Sequence, residues 1–246
     1  MLRHQLSEFF SAVTFADNKI FRSLKLILFS PGGFSKNYAE GIRVKYMKPI
    51  SVFFLANLIY FLFPFINTFT TSLELQISAF PYSDWAEKKV ELYLLEADVS
   101  MKEFATMYNI KTTELSKVAL ILFALTFTVF SKCIHIGSKR NLWVDNFTVS
   151  LEFLTFFLIF GLEVLILLMY PFVKFFDFGF LYTDSGLIPL GFVVTAFFFI
   201  KAERKFFEFG KARTGINVVL NIASLVFTLS IYRGLLFLIT FYSIIL

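Results

Sequence analysis

FTVSLEFLTFFLIFGLEVLILLMYPFV, residues 147–173, decides what kind of protein this is. Only Glu152 and Glu163 carry charge in the stretch. A hydrocarbon layer about 30 Å thick is crossed by about 20 helical residues at 1.5 Å each, so this block reads as a membrane-spanning helix. Working outward, four further apolar blocks fall at about 49–69, 115–136, 187–206 and 214–246, each separated from the next by charged connectors. The pattern predicts an all-α, polytopic transmembrane helical bundle of about five spans. Composition agrees: 57% of the chain is apolar, 37 of its 246 residues are Phe, and the mean hydropathy is +0.73. Water-soluble domains are about half apolar and lack such runs.

Several chemistries are disfavoured at once. Cys133 is the single cysteine and cannot form an internal disulfide, and His4 and His135 are the only histidines. No zinc or haem ligand set can be assembled from them, so neither metal nor cofactor is expected. No nucleophile–base set stands out, so an enzyme is not expected, and no nucleic-acid partner is either. Met1–Phe15 contains Arg3, His4 and Glu8 and lacks a long apolar core, so it is not read as a cleaved signal peptide. The first span is expected to serve as the insertion signal.

Basic residues near span ends are retained on the cytoplasmic side. Sixteen Lys and Arg residues fall in 1–48, 132–146 and 201–213, whereas six fall in the alternate connectors, beside ten acids. The expected arrangement has the N-terminus in the cytoplasm, the C-terminus outside, and a bacterial inner-membrane location. Residues 1–48 form a cytoplasmic interfacial lead-in and 49–246 the bundle. Within the lead-in, Ile20, Leu24, Ile27 and Leu28 recur at helical spacing with Lys19, Arg22 and Lys25 between them, the pattern of a basic amphipathic helix on an anionic membrane face. Packing beneath the bundle is the alternative. In the outer loop, 70–114, charges alternate helically from Asp84 to Ala97, and Ser100 with Glu103 makes a capping-box signature. Two short amphipathic helices are expected there.

Ionisable residues within spans are costly and invite a functional reading. Glu152 and Glu163, eleven residues apart, share one face of an ideal helix at about 100° per residue. Glu163 and Arg233 lie at similar depth, about 24 and 25 Å from the cytoplasmic starts of their helices, and are expected to pair. Asn217, Asn221, Ser224 and Thr228 form one polar stripe on the last span. Such stripes usually join helices, with a water-lined path as the second reading. The final block is about 50 Å long as straight helix, and Arg233-Gly234 is the expected bend.

The stretch 31–49 reads PGGFSKNYAEGIRVKYMKP, or P-G-x5-Y-x2-G-x-R-x2-Y-x2-P. It resembles the hallmark of an uncharacterised family of bacterial inner-membrane proteins, a domain of unknown function. The Phe-rich helix upstream, Leu122-Phe123-Ala124-Leu125 and the basic turn before a long final span extend the similarity along the chain. Two departures stand out. The cysteine-rich metal ribbon that often begins family members is absent, and Asn146 and Glu152 stand where members often carry histidines. Within the motif, Arg43, Lys45, Tyr46 and Lys48 precede Pro49 at the level of cytoplasmic headgroups. Arg grips phosphate bidentately and Tyr favours the interface, so these four are the candidate lipid-headgroup contact, with plain topological anchoring as the alternative.

The functional expectation is a non-catalytic membrane subunit or scaffold that touches anionic lipid at its cytoplasmic face. Its partners would be membrane lipids and either a second copy or another subunit. The alternative is a small transporter or channel using Glu152, Glu163 and the polar stripe.

Overall fold

The architecture is set by two long antiparallel helices. In the computed structural model, which describes residues 18–63, 65–176 and 179–246, α6 (Met101–Ile134, 34 residues) pairs along its length with α10 (Lys211–Ile245, 35 residues). The expectation for Met1–Phe15 lies outside the described residues. In chain order the other elements are α1 (18–29), α2 (Gly33–Ala39), α3 (Pro49–Leu62), α4 (Leu73–Gln76), α5 (Ser83–Ala97), α7 (Trp143–Phe156), a π-helical segment (Phe157–Val164), α8 (Leu165–Phe176), a 3₁₀ turn (Gly179–Tyr182) and α9 (Asp184–Lys205). The described residues contain no strand.

Among the described residues, four helices are long and apolar enough to cross a membrane: Met101–Ile134, Trp143–Phe175, Ser185–Lys205 and Lys211–Ile245. Pro49 occupies the first turn of α3, where a missing N–H costs nothing. At 14 residues, α3 is about 21 Å long, short of the hydrocarbon thickness. It ends before a folded-back segment pinned by the Tyr60 hydroxyl, which donates to Ile66 O at 2.8 Å and accepts from Thr68 N at 3.0 Å.

α6 and α10 are each about 50 Å long, against about 30 Å of hydrocarbon, and the excess builds a cap at one end. There Leu73, Ala86, Val90, Phe104, Tyr108, Phe237 and Phe241 form a second core. Trp85 meets Phe237 edge-on at 5.9 Å, and Tyr93 meets Phe104 at 5.4 Å and Phe241 at 6.0 Å. Outside lipid, burying a large apolar side chain is worth about 1.5–3 kcal/mol, so a few such residues hold the cap together.

Two expectations change here. The Ser100 cap forms, with Ser100 Oγ accepting from Glu103 N at 3.3 Å, but the helix it opens runs unbroken into the second span. Only Ser83–Ala97 is a separate outer helix of the two expected, closed by Asp98 at φ 52°. The last helix does not bend at Arg233-Gly234. Its final turns are needed straight, because Phe237 and Phe241 fill the cap and Thr240 Oγ1 donates to Thr112 Oγ1 at 3.3 Å.

Candidate functional site

The opposite end of the bundle concentrates the polar chemistry. Glu152, buried on α7, reaches α2 more than a hundred residues earlier in the chain. Its carboxylate accepts from Gly32 N and Ser35 N, both at 2.9 Å, and from the Ser35 hydroxyl. The first N–H groups of a helix have no intrahelical partner and carry partial positive charge. Here the missing cap of α2 is supplied by a transmembrane carboxylate. Gly32 makes the approach possible. It adopts φ +77°, and a Cβ on it would lie 2.7 Å from the Ala202 Cα of α9, so only glycine satisfies both demands.

The remaining motif residues fold onto one another. Gly41 turns the chain at φ +82°. The Arg43 guanidinium stacks 4.7 Å above the Tyr38 ring, and its Nε donates to Tyr38 O at 3.3 Å. Tyr46 is turned inward, its hydroxyl accepting from Asn37 Nδ2 at 3.1 Å and its ring packing edge-on against Phe34 at 6.1 Å. Arg43, Lys45 and Val44, the last 76% exposed, face outward, and Lys48 is exposed beside them. α1 is two-faced. Ser23 and Ile27 are buried, while Phe21, Arg22, Lys25 and Phe29 are exposed on the other side. One face of α1 thus packs against the rest of the chain, and the other, which carries Arg22 and Lys25, is exposed.

Surface pairs bind the same end. Lys36 Nζ lies 2.9 Å from Glu208 Oε1, and Arg140 Nη2 lies 2.8 Å from Glu40 Oε1. The hydrogen bond from Lys36 holds the Glu208 carboxyl below its ordinary range. Lys205 Nζ donates to Ser30 Oγ, and Arg213 donates to Ile136 O.

Above these contacts lies a buried network that the sequence reading missed. Glu203, in the last turn of α9, accepts from Asn217 Nδ2 through Oε2 and from Asn221 Nδ2 through Oε1, both at 2.8 Å. Its Oε1 is also 2.6 Å from His135 Nε2. The other ring nitrogen of His135 faces Ser131 O at 2.6 Å and Asn146 Oδ1 at 3.2 Å. Asn146 Nδ2 is committed to Asn141 Oδ1 at 2.8 Å and Leu142 O at 3.0 Å. Its Oδ1 is therefore the acceptor, and both imidazole nitrogens face acceptors. The His135 ring stacks 3.5 Å from the Phe207 ring. Both side chains of the His135–Glu203 contact are buried, 1% and 0% exposed. Such a contact is retained only when its remaining hydrogen-bonding capacity is filled, as it is here.

The polar stripe of α10 is thereby accounted for. Asn217 and Asn221 grip Glu203. Ser224 Oγ bonds Asn221 O and Thr228 Oγ1 bonds Ser224 O, both at 2.8 Å within the helix. Glu163 and Arg233 do not pair within 4.0 Å among the described residues, contrary to expectation. Glu163 Oε1 and Arg233 Nε have no hydrogen-bond partner, and Arg233 lies over the Phe80 ring at 4.9 Å. The π-helical turns from Phe157 to Val164 bear on the other expectation for Glu163, that it shares a face with Glu152. They change the rotation per residue, so a 3.6-residue count carried from Glu152 no longer gives the direction of Glu163.

Two signals could have exposed the network. Glu203 is a lone acid among Lys201, Arg204 and Lys205 at the end of an apolar helix, and a short connector sets it opposite Asn217 on the next. His135 was considered only as a metal ligand. No group of three or more His, Cys, Asp or Glu that could hold a metal ion occurs among the described residues.

Comparison with known proteins matches the lead-in and the first apolar helix, α3. A family described as "Protein of unknown function (DUF3667)" matches residues 17–61, the stretch that contains the Pro-Gly, Tyr, Gly, Arg, Tyr, Pro motif. No curated protein and no solved structure matches the chain.

Proposed function

We propose that this chain is a non-catalytic, multi-pass membrane scaffold or subunit of five crossings, the first completed by α3 and the segment after it. Its basic end faces the cytoplasm of a bacterial inner membrane and contacts anionic lipid through Arg43, Lys45 and Lys48. The observation that carries this reading is the commitment of the two buried acids Glu152 and Glu203 to partners within the chain. Glu152 is filled by three donors from α2, and Glu203 by His135, Asn217 and Asn221. Ser131, His135 and Glu203 turn their polar atoms toward one another and leave no open face for a substrate. Interhelical bonds of this kind hold bundles together. Exposed Arg43, Lys45 and Lys48 follow the pattern of juxtamembrane basic residues that bind acidic headgroups, while Tyr46 serves packing instead. The apolar outer flank of α10, with Val219 and Phe227 exposed, is where a second copy or another subunit would sit.

Transport is the competing reading, favoured by the unpartnered Glu163 carboxylate. Proteoliposomes loaded with a pH-sensitive dye and exposed to proton, sodium or potassium gradients separate the two. A scaffold leaks no faster than protein-free vesicles. A cation flux that Glu163→Gln or Glu152→Gln abolishes would overturn the proposal.

A further inference from the structure

Between α6, the third span, α9 and α10 lies a cavity of about 430 Å³, within the range of about 300–1,000 Å³ usual for small-ligand sites. Its walls are hydrocarbon and aromatic, including Phe123, Phe153, Leu162, Leu190, Ile222 and Leu229, and the one charged residue among its described lining residues is Arg233. The cavity follows α10 from Ile222 to Arg233, about 16 Å at 1.5 Å per residue. Arg233 marks the end near the cap, since Gln76 Nε2 donates to its carbonyl at 3.3 Å. The other end runs toward the middle of the bundle. Ile188, Phe192 and Val226 line the cavity and are also exposed at 57%, 45% and 54%, so it opens sideways toward lipid.

The contents can be read from this geometry. Apart from Thr68, Thr195 and Arg233 the walls are apolar and offer water few partners, and an empty volume forfeits dispersion contacts on every side. The guanidinium at the cap end has no carboxylate within 4.0 Å among the described residues, and its Nε donates to nothing. A cation there calls for an anion that brings its own apolar tail. The π-helical turns, rare in proteins and frequent at functional sites, supply Phe157, Gly161 and Leu162 to the wall.

We propose that the cavity holds one acyl chain of an anionic phospholipid, with its phosphate on Arg233 and its second chain in the bilayer through the lateral opening. This site lies at the opposite end of the molecule from Arg43, Lys45 and Lys48 and stands independently of the lipid contact proposed there. Arg presents two parallel donors to a phosphate, and the cap end is where a headgroup would lie while its chain points to the membrane interior.

Native mass spectrometry of the protein released from nanodiscs tests this, with phosphatidylglycerol and phosphatidylcholine of identical chains as probes. The wild type is expected to retain one phosphatidylglycerol in preference to phosphatidylcholine by roughly tenfold, the scale of one charge-assisted contact. Arg233→Met removes the preference, and Arg233→Lys keeps part of it. Gly191→Phe, at a lining position where an added Cβ meets nothing within 4 Å, blocks retention of both lipids without disturbing the fold. Absence of any headgroup preference in the wild type overturns the proposal, as does unchanged retention in a folded Arg233→Met. Retention of palmitate where phosphatidylglycerol is not held assigns the cavity to a free fatty acid and also overturns it. If Arg43→Gln/Lys45→Gln/Lys48→Gln removes the retained lipid and Arg233→Met does not, the lipid belongs to the basic end. The cavity assignment then fails while the reading of the lead-in stands.

Discussion

Glu152→Ala isolates the bond between the lead-in and the bundle. The substitution removes the acceptor of two buried backbone N–H groups, those of Gly32 and Ser35, together with the partner of the Ser35 hydroxyl. A buried donor left unpaired costs about 1–3 kcal/mol. The hydroxyl can turn elsewhere, so the two N–H groups set the expected loss at about 2–6 kcal/mol. The cost falls on the docking of α2 rather than on the paired α6 and α10, which Glu152 does not touch. Local opening of this kind is read by amide hydrogen exchange. Even the lower bound, at 1.4 kcal/mol per decade, predicts roughly thirtyfold faster exchange across residues 33–39, with the amides of α10 unchanged as the internal control. Glu152→Gln retains one carbonyl acceptor but sets an NH₂ group against the other N–H, so its effect should be about half as large in free energy, near 1–3 kcal/mol. Exchange across 33–39 within threefold of wild type in a folded Glu152→Ala protein would refute the claim that this carboxylate holds α2.

Two further substitutions probe the same end. Gly32→Ala forces a Cβ to 2.7 Å from Ala202 Cα at φ +77°, adding roughly 1–2 kcal/mol of left-handed strain to roughly 1–3 kcal/mol of overpacking. Gly33→Ala meets only side-chain atoms, the end of Lys205 at 3.0 Å and Ser30 Oγ at 3.2 Å, and should cost less; equal exchange at α2 in the two variants would show that Gly32 is not a contact point. Glu203→Leu leaves buried His135 and the side-chain amides of Asn217 and Asn221 without their shared partner, an expected loss of about 3–5 kcal/mol, part of which the double change Glu203→Leu/His135→Leu restores. Thermal midpoints in detergent measure both, and a single variant as stable as wild type would remove the network from the account of stability.

What could be read from the sequence follows the physics of each signal. Span-forming blocks are legible because the bilayer imposes a length and a composition on each crossing independently. Ser100 and Glu103 announce a helix start for the same local reason. Helix ends are harder where a crossing continues into water, since nothing in the Met101–Ile134 sequence marks the plane at which lipid stops; the outer half of α6 looked like a separate helix because its charges resemble those of one. The Arg233-Gly234 pair looked like a hinge, but the cap holds the helix straight through Phe237 and Phe241, a tertiary effect outside any local window. Glu152 was singled out correctly as a buried acid, yet its partners are backbone N–H groups of Gly32 and Ser35, which have no residue-type signature. The direction of Glu163 was lost for another reason: angular counting assumes 3.6 residues per turn, and π-helical turns precede it in the chain.

The motif and the acid explain each other. Read alone, Pro31-Gly32 is a helix stop, and Glu152 is an expensive charge in a span. Together they form one joint, in which the glycine lets α2 come against Ala202 of α9 while the carboxylate of α7 supplies the cap that α2 lacks from its own sequence. Gly32 makes no side-chain cap of its own, so without α7 the first turn of α2 would leave its N–H groups to water, and a seven-residue helix is too short to persist by itself. Ser30, Lys36 and Glu40 add contacts to Lys205, Glu208 and Arg140 on the connectors that follow. Constraints on the stretch 31–49 therefore lie also in residues 140–208. The segment matched by the family, residues 17–61, carries one half of this joint on α2, the other half is made by α7 and α9, and a lead-in of this kind holds its shape only against a bundle that offers both an acid and a close-packed alanine.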